Sequence, residues 1–478
     1  MLQRIREGLT LILIVVLPFH AFLVTVGTKM IAGPGHSPLP MLALWKEALL
    51  GLILIIAIAE WARKLRIENG ELRMDRIDLC IGVLLFWSLI QAFILNSPFS
   101  ILHYAFGFKY DFLPLVAFLI LRRVPWSDQF RRTAVAVLLG VGVIVVLYGL
   151  ATLFLPMSWF TWLGYSDLHS LYVPGGPLAP FQQIENIGIR RMQSTFSGPN
   201  QLGIWLLVPL CILLSGFLGE EGRKGARTKG ADCALVPLVL VPFAIAIALT
   251  FSRSAWIAAA VIGAVVAWKH LSQKKLLLVS CSLFAVAVIA AIAFPSVIIR
   301  TASSGGHIER PLQALHIMKA HPFGLGLGTA GPASNRFSDT CVELPTGADV
   351  SWAQPHEKLC VFVGGIQVQP TDRPCSCPLL PENWYLQIGV ELGWIGFVLY
   401  IVLVFILLKR LFELRIENLE LRIHSSILNS QFSIALAFFG ISIAALFLHA
   451  WEDSAVALTV WMLVAAVHPC NTFQKTHH

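Results

Sequence analysis

Glu382 stands at the entrance of a long apolar run, in the segment ENWYLQIGVELGWIG (382–396). A charge at such a boundary is costly unless it is solvated, paired or used. A carboxylate there can serve as general base toward a hydroxyl if its surroundings keep it deprotonated. The same residue also reads as an ordinary Glu at a helix N-terminus, held by the dipole. Cations that would favour its charged form occur in four other segments. Arg191 lies in RRMQSTFSGPNQLG (190–203), just ahead of Pro199, a favoured first helical residue. Helix starts offer free N–H groups to anions, although a solvated loop arginine beside a turn accounts for the same residues. Arg253, in LTFSRSAWIAAA (249–260), sits between two apolar runs with almost no loop, where an arginine must snorkel, pair or bind something. His307 and Arg310 open SSGGHIERPLQALHIMKAHPFGLGLG (303–328); each can meet a phosphate oxygen or stay solvated. Lys109, in GFKYDFLPL (107–115), is a further candidate cation, two residues from Asp111 and so not on its helix face. Planar, bidentate guanidinium groups suit a pyrophosphate. The set therefore fits hydroxyl activation beside a bound diphosphate.

These residues need a scaffold, and composition says which kind. Of 478 residues, 56% are hydrophobic and 13% charged, with mean hydropathy +0.74. Soluble domains carry about 25% charged residues. We expect an all-α polytopic membrane protein. A span needs about 20 apolar residues, and twelve segments qualify: 9–27, 41–60, 78–96, 105–121, 133–155, 200–218, 233–250, 254–268, 276–294, 384–408, 433–450 and 455–468. The run 9–27 reads as a first span rather than a cleaved signal. Domain organisation follows as nine spans in 1–294, a loop at 295–383 and three spans in 384–478.

The net charge of +8 comes from basic residues in short loops between apolar runs, which points to topology and not to nucleic acid. With the N-terminus in the cytoplasm, most of the 35 Lys and Arg residues fall on the cytoplasmic side. Both termini are then cytoplasmic, and loops 156–199 and 295–383 lie outside. Within the large loop, Leu312, Leu315 and Met318, with Ile308 and Ile317, suit an amphipathic helix on the membrane surface, ending at His321-Pro322. The glycines at 324, 326 and 328 lack the lysine of a phosphate loop. Cys341, Cys360, Cys375 and Cys377 share this loop, and one or two disulfides are expected if it faces an oxidising space. The one-residue spacing of Cys375 and Cys377 does not match paired zinc ligands. Cys80, Cys211, Cys233, Cys281 and Cys470 read as packing residues. LRIENGELR (65–73) recurs as LRIENLELR (414–422), and ILNSPFS (94–100) as ILNSQFS (427–433). We read this repeat as inserted sequence without catalytic meaning.

Together these segments resemble the O-antigen ligase and O-antigen polymerase family of envelope glycosyltransferases. The likeness covers 191–203, 249–260, 303–328 and 382–396, and the long outer loop between the ninth and tenth spans. Ligases of that family carry His-Asn, nine residues, Gly, two residues and Gly. Here Glu382-Asn383 is followed by nine residues, Gly393, Trp394-Ile395 and Gly396, so the spacing is kept and the histidine has become Glu382. His307 stands where many relatives place an arginine, with Arg310 nearby. The resemblance implies a GT-C-like membrane enzyme in the cytoplasmic (inner) membrane. It would move a glycan from an undecaprenyl-diphosphate carrier to an acceptor hydroxyl on a glycan or lipid, without metal or cofactor. Arg191 and Arg253 would hold the diphosphate, with Arg310, His307 or Lys109 assisting. Glu382 would activate the acceptor, and Asn383 would orient Glu382 or a sugar. No DxD motif for a metal-held diphosphate occurs in the outer loops. Ligase and polymerase remain alternatives. A flippase or other transporter is a competing class, although transporters place polar residues at the midplane on broken helices. Glycan transfer to protein would share donor and site.

Overall fold

A computed structural model of the chain describes residues 1–68, 74–94, 101–169, 175–184, 188–221, 232–270, 272, 274, 292–293, 295, 301–344, 346–356, 359–420 and 425–468. Most of them are helical. Among the described residues, five helices are long and apolar enough to cross a membrane: Leu2–Ala32, Pro40–Arg66, Arg76–Phe93, Asp128–Thr152 and Trp384–Glu413. Ile101–Asp111 and Leu113–Leu121 make a sixth if taken as one span bent by 53°. Pro114 sits in the first turn of the second piece, where its missing N–H breaks the hydrogen-bond ladder. Shorter apolar helices, Pro199–Ser215, Val239–Leu249, Arg253–Trp268, Gln431–Ala444 and Ser454–Val467, complete the bundle. The expected segment 276–294 lies outside the described residues, apart from 292–293.

Ser454–Val467 is apolar throughout and buried along its length, which marks it as the core of the bundle. Asp453 caps it, Oδ1 accepting from the N–H groups of Ala455 and Val456 at 2.9 and 3.1 Å. The helix packs on Leu113–Leu121 and on Ser425–Ala444. The latter stops at Ala444 rather than running on to 450, and the freed residues 445–452 turn into the site described below.

The all-helical expectation needs one correction. Gln182–Ile184 pairs antiparallel with Ile189–Arg191, bringing Gln182 opposite Arg191. Thr340–Leu344, Leu359–Val363 and Ile366–Gln369 form a three-stranded sheet. The β-branched and aromatic residues of LCVFV and IQVQ favour this pairing. Two disulfides, Cys341–Cys377 and Cys360–Cys375, staple the sheet to the strand-free segment beyond it. Cys80 and Cys211 are buried in packing positions, as expected.

The loop helix Thr301–Ala320 ends beside Pro322, as its periodicity indicates. Ala314 and Met318 bury against Leu386 and Val390 of Trp384–Glu420, with Leu315 alongside, while Ile308 and Leu312 stay exposed. Its apolar stripe is thus shared between the bundle and the surroundings.

Candidate functional site

The site forms where the loop helix meets the start of Trp384–Glu420. Asn383 caps that start: its Oδ1 accepts the Leu386 N–H at 3.0 Å and its Nδ2 donates to Leu446 O at 2.8 Å. Asn383 therefore docks the helix start onto the 445–446 turn. Glu382, one residue earlier, has φ of +52°, a left-handed conformation that costs a non-glycine residue about 1–2 kcal/mol. Ser194 and Phe251 also take positive φ, +53° and +49°. Three of the five segments singled out by their charges thus each hold one strained non-glycine residue, and such strain collects at functional sites.

Glu382 is met from the loop helix by two residues. Arg310 Nη1 donates to Oε1, and His307 Nδ1 contacts Oε2. The side chains stay partly open, 18% exposed for Glu382, 34% for His307 and 46% for Arg310. Burial acts to raise the Glu382 carboxyl, but the contacts with His307 and Arg310, with the field of His449, hold it below the ordinary carboxylate value. Arg253, first residue of Arg253–His270, lies within charge–charge range of Glu382. Residues named from three segments are therefore brought together: His307 and Arg310 contact Glu382, and Arg253 lies in its field.

Arg191 does something else. Its guanidinium is buried, 8% exposed. Nε donates to Thr250 O at 3.0 Å, Nη1 to Gln182 Oε1 at 2.9 Å, and Nη2 to Asn200 Oδ1 at 2.8 Å and Phe251 O at 3.4 Å. It ties the strand, the start of Pro199–Glu221 and the turn before Arg253 together. Its donors thus meet protein acceptors, and a diphosphate held there would compete with Gln182, Asn200 and the two carbonyls for them. Lys109 is also elsewhere: Nζ pairs with Glu47 at 2.7 Å, next to Lys46. It lines a small cavity with Tyr110, Leu113 and Glu452.

A second polar layer lies beneath and was not singled out from sequence. Gln387 Nε2 donates to Asp111 Oδ1 at 3.3 Å and Glu452 Oε1 at 2.6 Å. Its Oε1 faces His449 Nδ1, so the amide orientation assigns the proton to that nitrogen. Burial pushes His449 down to about 4, with Glu382 pulling up and Arg310 down. Glu391 Oε1 accepts the N–H groups of Gly328 and Ala330 at 2.9 and 3.1 Å, and its carboxyl meets that of Asp111. Gln387 and Glu391, four apart in an apolar helix, share a face, and an ionisable residue there was the available signal.

Gly393 sits where the surroundings require a glycine. It breaks the helix with φ of +70°, and a Cβ there would lie 2.2 Å from Pro322 O. Into the gap fits the glycine-rich turn: Leu325 N donates to Val390 O, Gly326 N to Glu391 O, and Trp394 N to Pro322 O. Gly107 packs equally close, a Cβ there meeting Gly328 N at 2.3 Å. The turn thus wedges between two helices and holds the loop helix in register with Glu382.

Asp339, Cys360 and Cys375 come together in the loop. The two sulfurs are joined as a disulfide and Asp339 pairs with Arg373 at 2.7 Å, so this group offers no thiolates to a metal. No family model matches the chain, and no curated protein matches it.

Proposed function

We propose that the chain transfers a glycan from an undecaprenyl-diphosphate carrier to an acceptor hydroxyl at the outer face of the cytoplasmic membrane, in the manner of an O-antigen polymerase or ligase. The proposal includes twelve spans, cytoplasmic termini and an extracytoplasmic loop 295–383. What supports it most is the contact of Glu382 with His307 and Arg310, with Arg253 within its electrostatic field, in a half-open setting. An acceptor hydroxyl needs a proton acceptor as it attacks the anomeric carbon. The departing lipid diphosphate gains charge and needs fixed cations. Arg253 and the exposed Arg310 are the residues assigned to that second task, with Arg191 positioning Arg253. The two disulfides fit an oxidising compartment for the loop.

The test is incubation of the purified chain with lipid-linked oligosaccharide. A product ladder without added acceptor indicates polymerisation, and transfer only to an added lipid acceptor indicates ligation. Absence of any transfer to glycan, lipid or protein acceptors contradicts the proposal. A second reading, transport of the lipid-linked glycan, draws on the buried carboxyls of Asp111 and Glu391 beside two helix breaks. Reconstituted vesicles that move the donor between leaflets without consuming it would favour that reading.

A further inference from the structure

We propose that the proton acceptor in this site is His307 Nε2, with Glu382 as the carboxylate that orients and charges-compensates the imidazole. The inference deepens the transferase reading and rests on it. Glu382 Oε1 accepts from Arg310 Nη1, and Oε2 lies in ion-pair contact with His307 Nδ1. A carboxylate beside two such groups is held as an anion, and an anion so stabilised is a weakened proton acceptor. Ring geometry then decides the rest. With Nδ1 turned to Glu382, Nε2 points to the opposite side of the imidazole, and the His307 side chain is about twice as exposed as that of Glu382, 34% against 18%. A carboxylate accepting Nδ1–H fixes the tautomer that leaves a lone pair on Nε2 and stabilises the imidazolium that follows, as in the serine-protease arrangement.

Among the described residues, the other charged and titratable groups acting on this pair are Arg310 on the same helix, Arg253 across the site, and His449 from the 445–452 turn. His449 is buried and already committed through Nδ1 to Gln387. Among these, His307 is the basic nitrogen with outward access. In the step, the acceptor O–H proton passes to His307 Nε2 while the oxygen forms its bond to the anomeric carbon. The bond from that carbon to the diphosphate oxygen breaks, and the lipid diphosphate leaves with the electron pair. The imidazolium later releases its proton to solvent.

The test uses full-length His307→Asn and His307→Ala in the lipid-linked oligosaccharide assay. Asn can still present an N–H toward Glu382 Oε2 but has no second basic nitrogen. General-base removal costs about 100-fold or more, so both variants should fall by that factor. Imidazole added to His307→Ala should recover part of the rate, an effect that a purely structural role cannot produce. Melting temperature in detergent checks that the variants fold. If His307→Asn keeps a rate close to that of the parent, or imidazole does nothing for a folded His307→Ala, the inference is overturned and Glu382 is the base. If the parent itself transfers no glycan, the transferase reading fails first, and that outcome is visible in the control lane.

Discussion

Two guanidinium–carboxylate clusters, one at the start of the helix Arg76–Ile94 and one linked to its far end through the 322–326 turn, are built differently. At its start, Arg122 is fully buried and bonds Asp78 Oδ1 at 2.9 Å while also holding Asp75; Arg123 takes Asp78 Oδ2 at 2.7 Å. At its far end, Gln91 donates to Phe323 O at 2.6 Å, joining the turn that positions the Glu382 site. The thirteen residues from Asp78 to Gln91 span roughly 20 Å. In the first cluster Arg122, Arg123 and Asp78 are enclosed and only the Asp75 carboxylate reaches the surface, so the guanidinium groups serve the packing of helix ends. The second leaves Arg310 and His307 partly open, so its charges remain available to something outside the protein. Residue chemistry alone does not separate a structural ion pair from a site; enclosure does.

The comparison breaks most readily at the closed end. Arg122→Ala leaves Asp78 with Arg123 alone and takes the buried guanidinium from Asp75, and losing one partner of a buried pair costs up to about 3–5 kcal/mol. Thermal unfolding in detergent should show a large drop, while the rate per folded molecule stays near the parent's. Gly393→Ala should come next. The new Cβ meets Pro322 O at 2.2 Å in a left-handed conformation, a strain of about 1–3 kcal/mol. Because the displaced turn carries the loop helix, the rate should fall together with the melting temperature.

Acidification separates the clusters by a smaller effect. Burial tends to raise Asp75, yet its hydrogen bonds to Arg122 bring it down to about 2 from the ordinary 3.8. A depressed carboxyl stabilises the fold above its ordinary value and loses that contribution as pH falls toward 2. Melting curves between pH 6 and 3 should therefore steepen at the acid end for the parent and flatten for Arg122→Ala. The smallest effect is expected at Lys109→Met, since Lys109 pairs with Glu47 away from Glu382: the rate should be unchanged, and a large loss would return Lys109 to the site.

Sequence made the boundary charges legible, because Glu382, Arg253, His307 and Arg310 each interrupt or flank an apolar run. It also placed the end of the loop helix and the break at Ser252-Arg253. It did not show that Arg191 spends its donors on Thr250 and Phe251, since those carbonyls lie 59 and 60 residues away and backbone acceptors leave no trace in side-chain identity. Nor did it show Gln387, His449 and Glu452 as one layer. His449 sits in an apolar stretch that reads as continuing helix, and only the turn after Ala444 brings it under Glu382. The small sheet was missed because the search for spans weighs hydropathy over long windows, and strands of four or five residues vanish in it.

The central claim is that glycan transfer runs through the Glu382 cluster. It is tested most directly by assaying Glu382→Gln beside the parent with lipid-linked oligosaccharide, both at matched melting temperature. Loss of the carboxylate removes the partner of His307 and Arg310 together, so the product should fall by about 100-fold or more. Equal product from a folded Glu382→Gln variant would contradict the account.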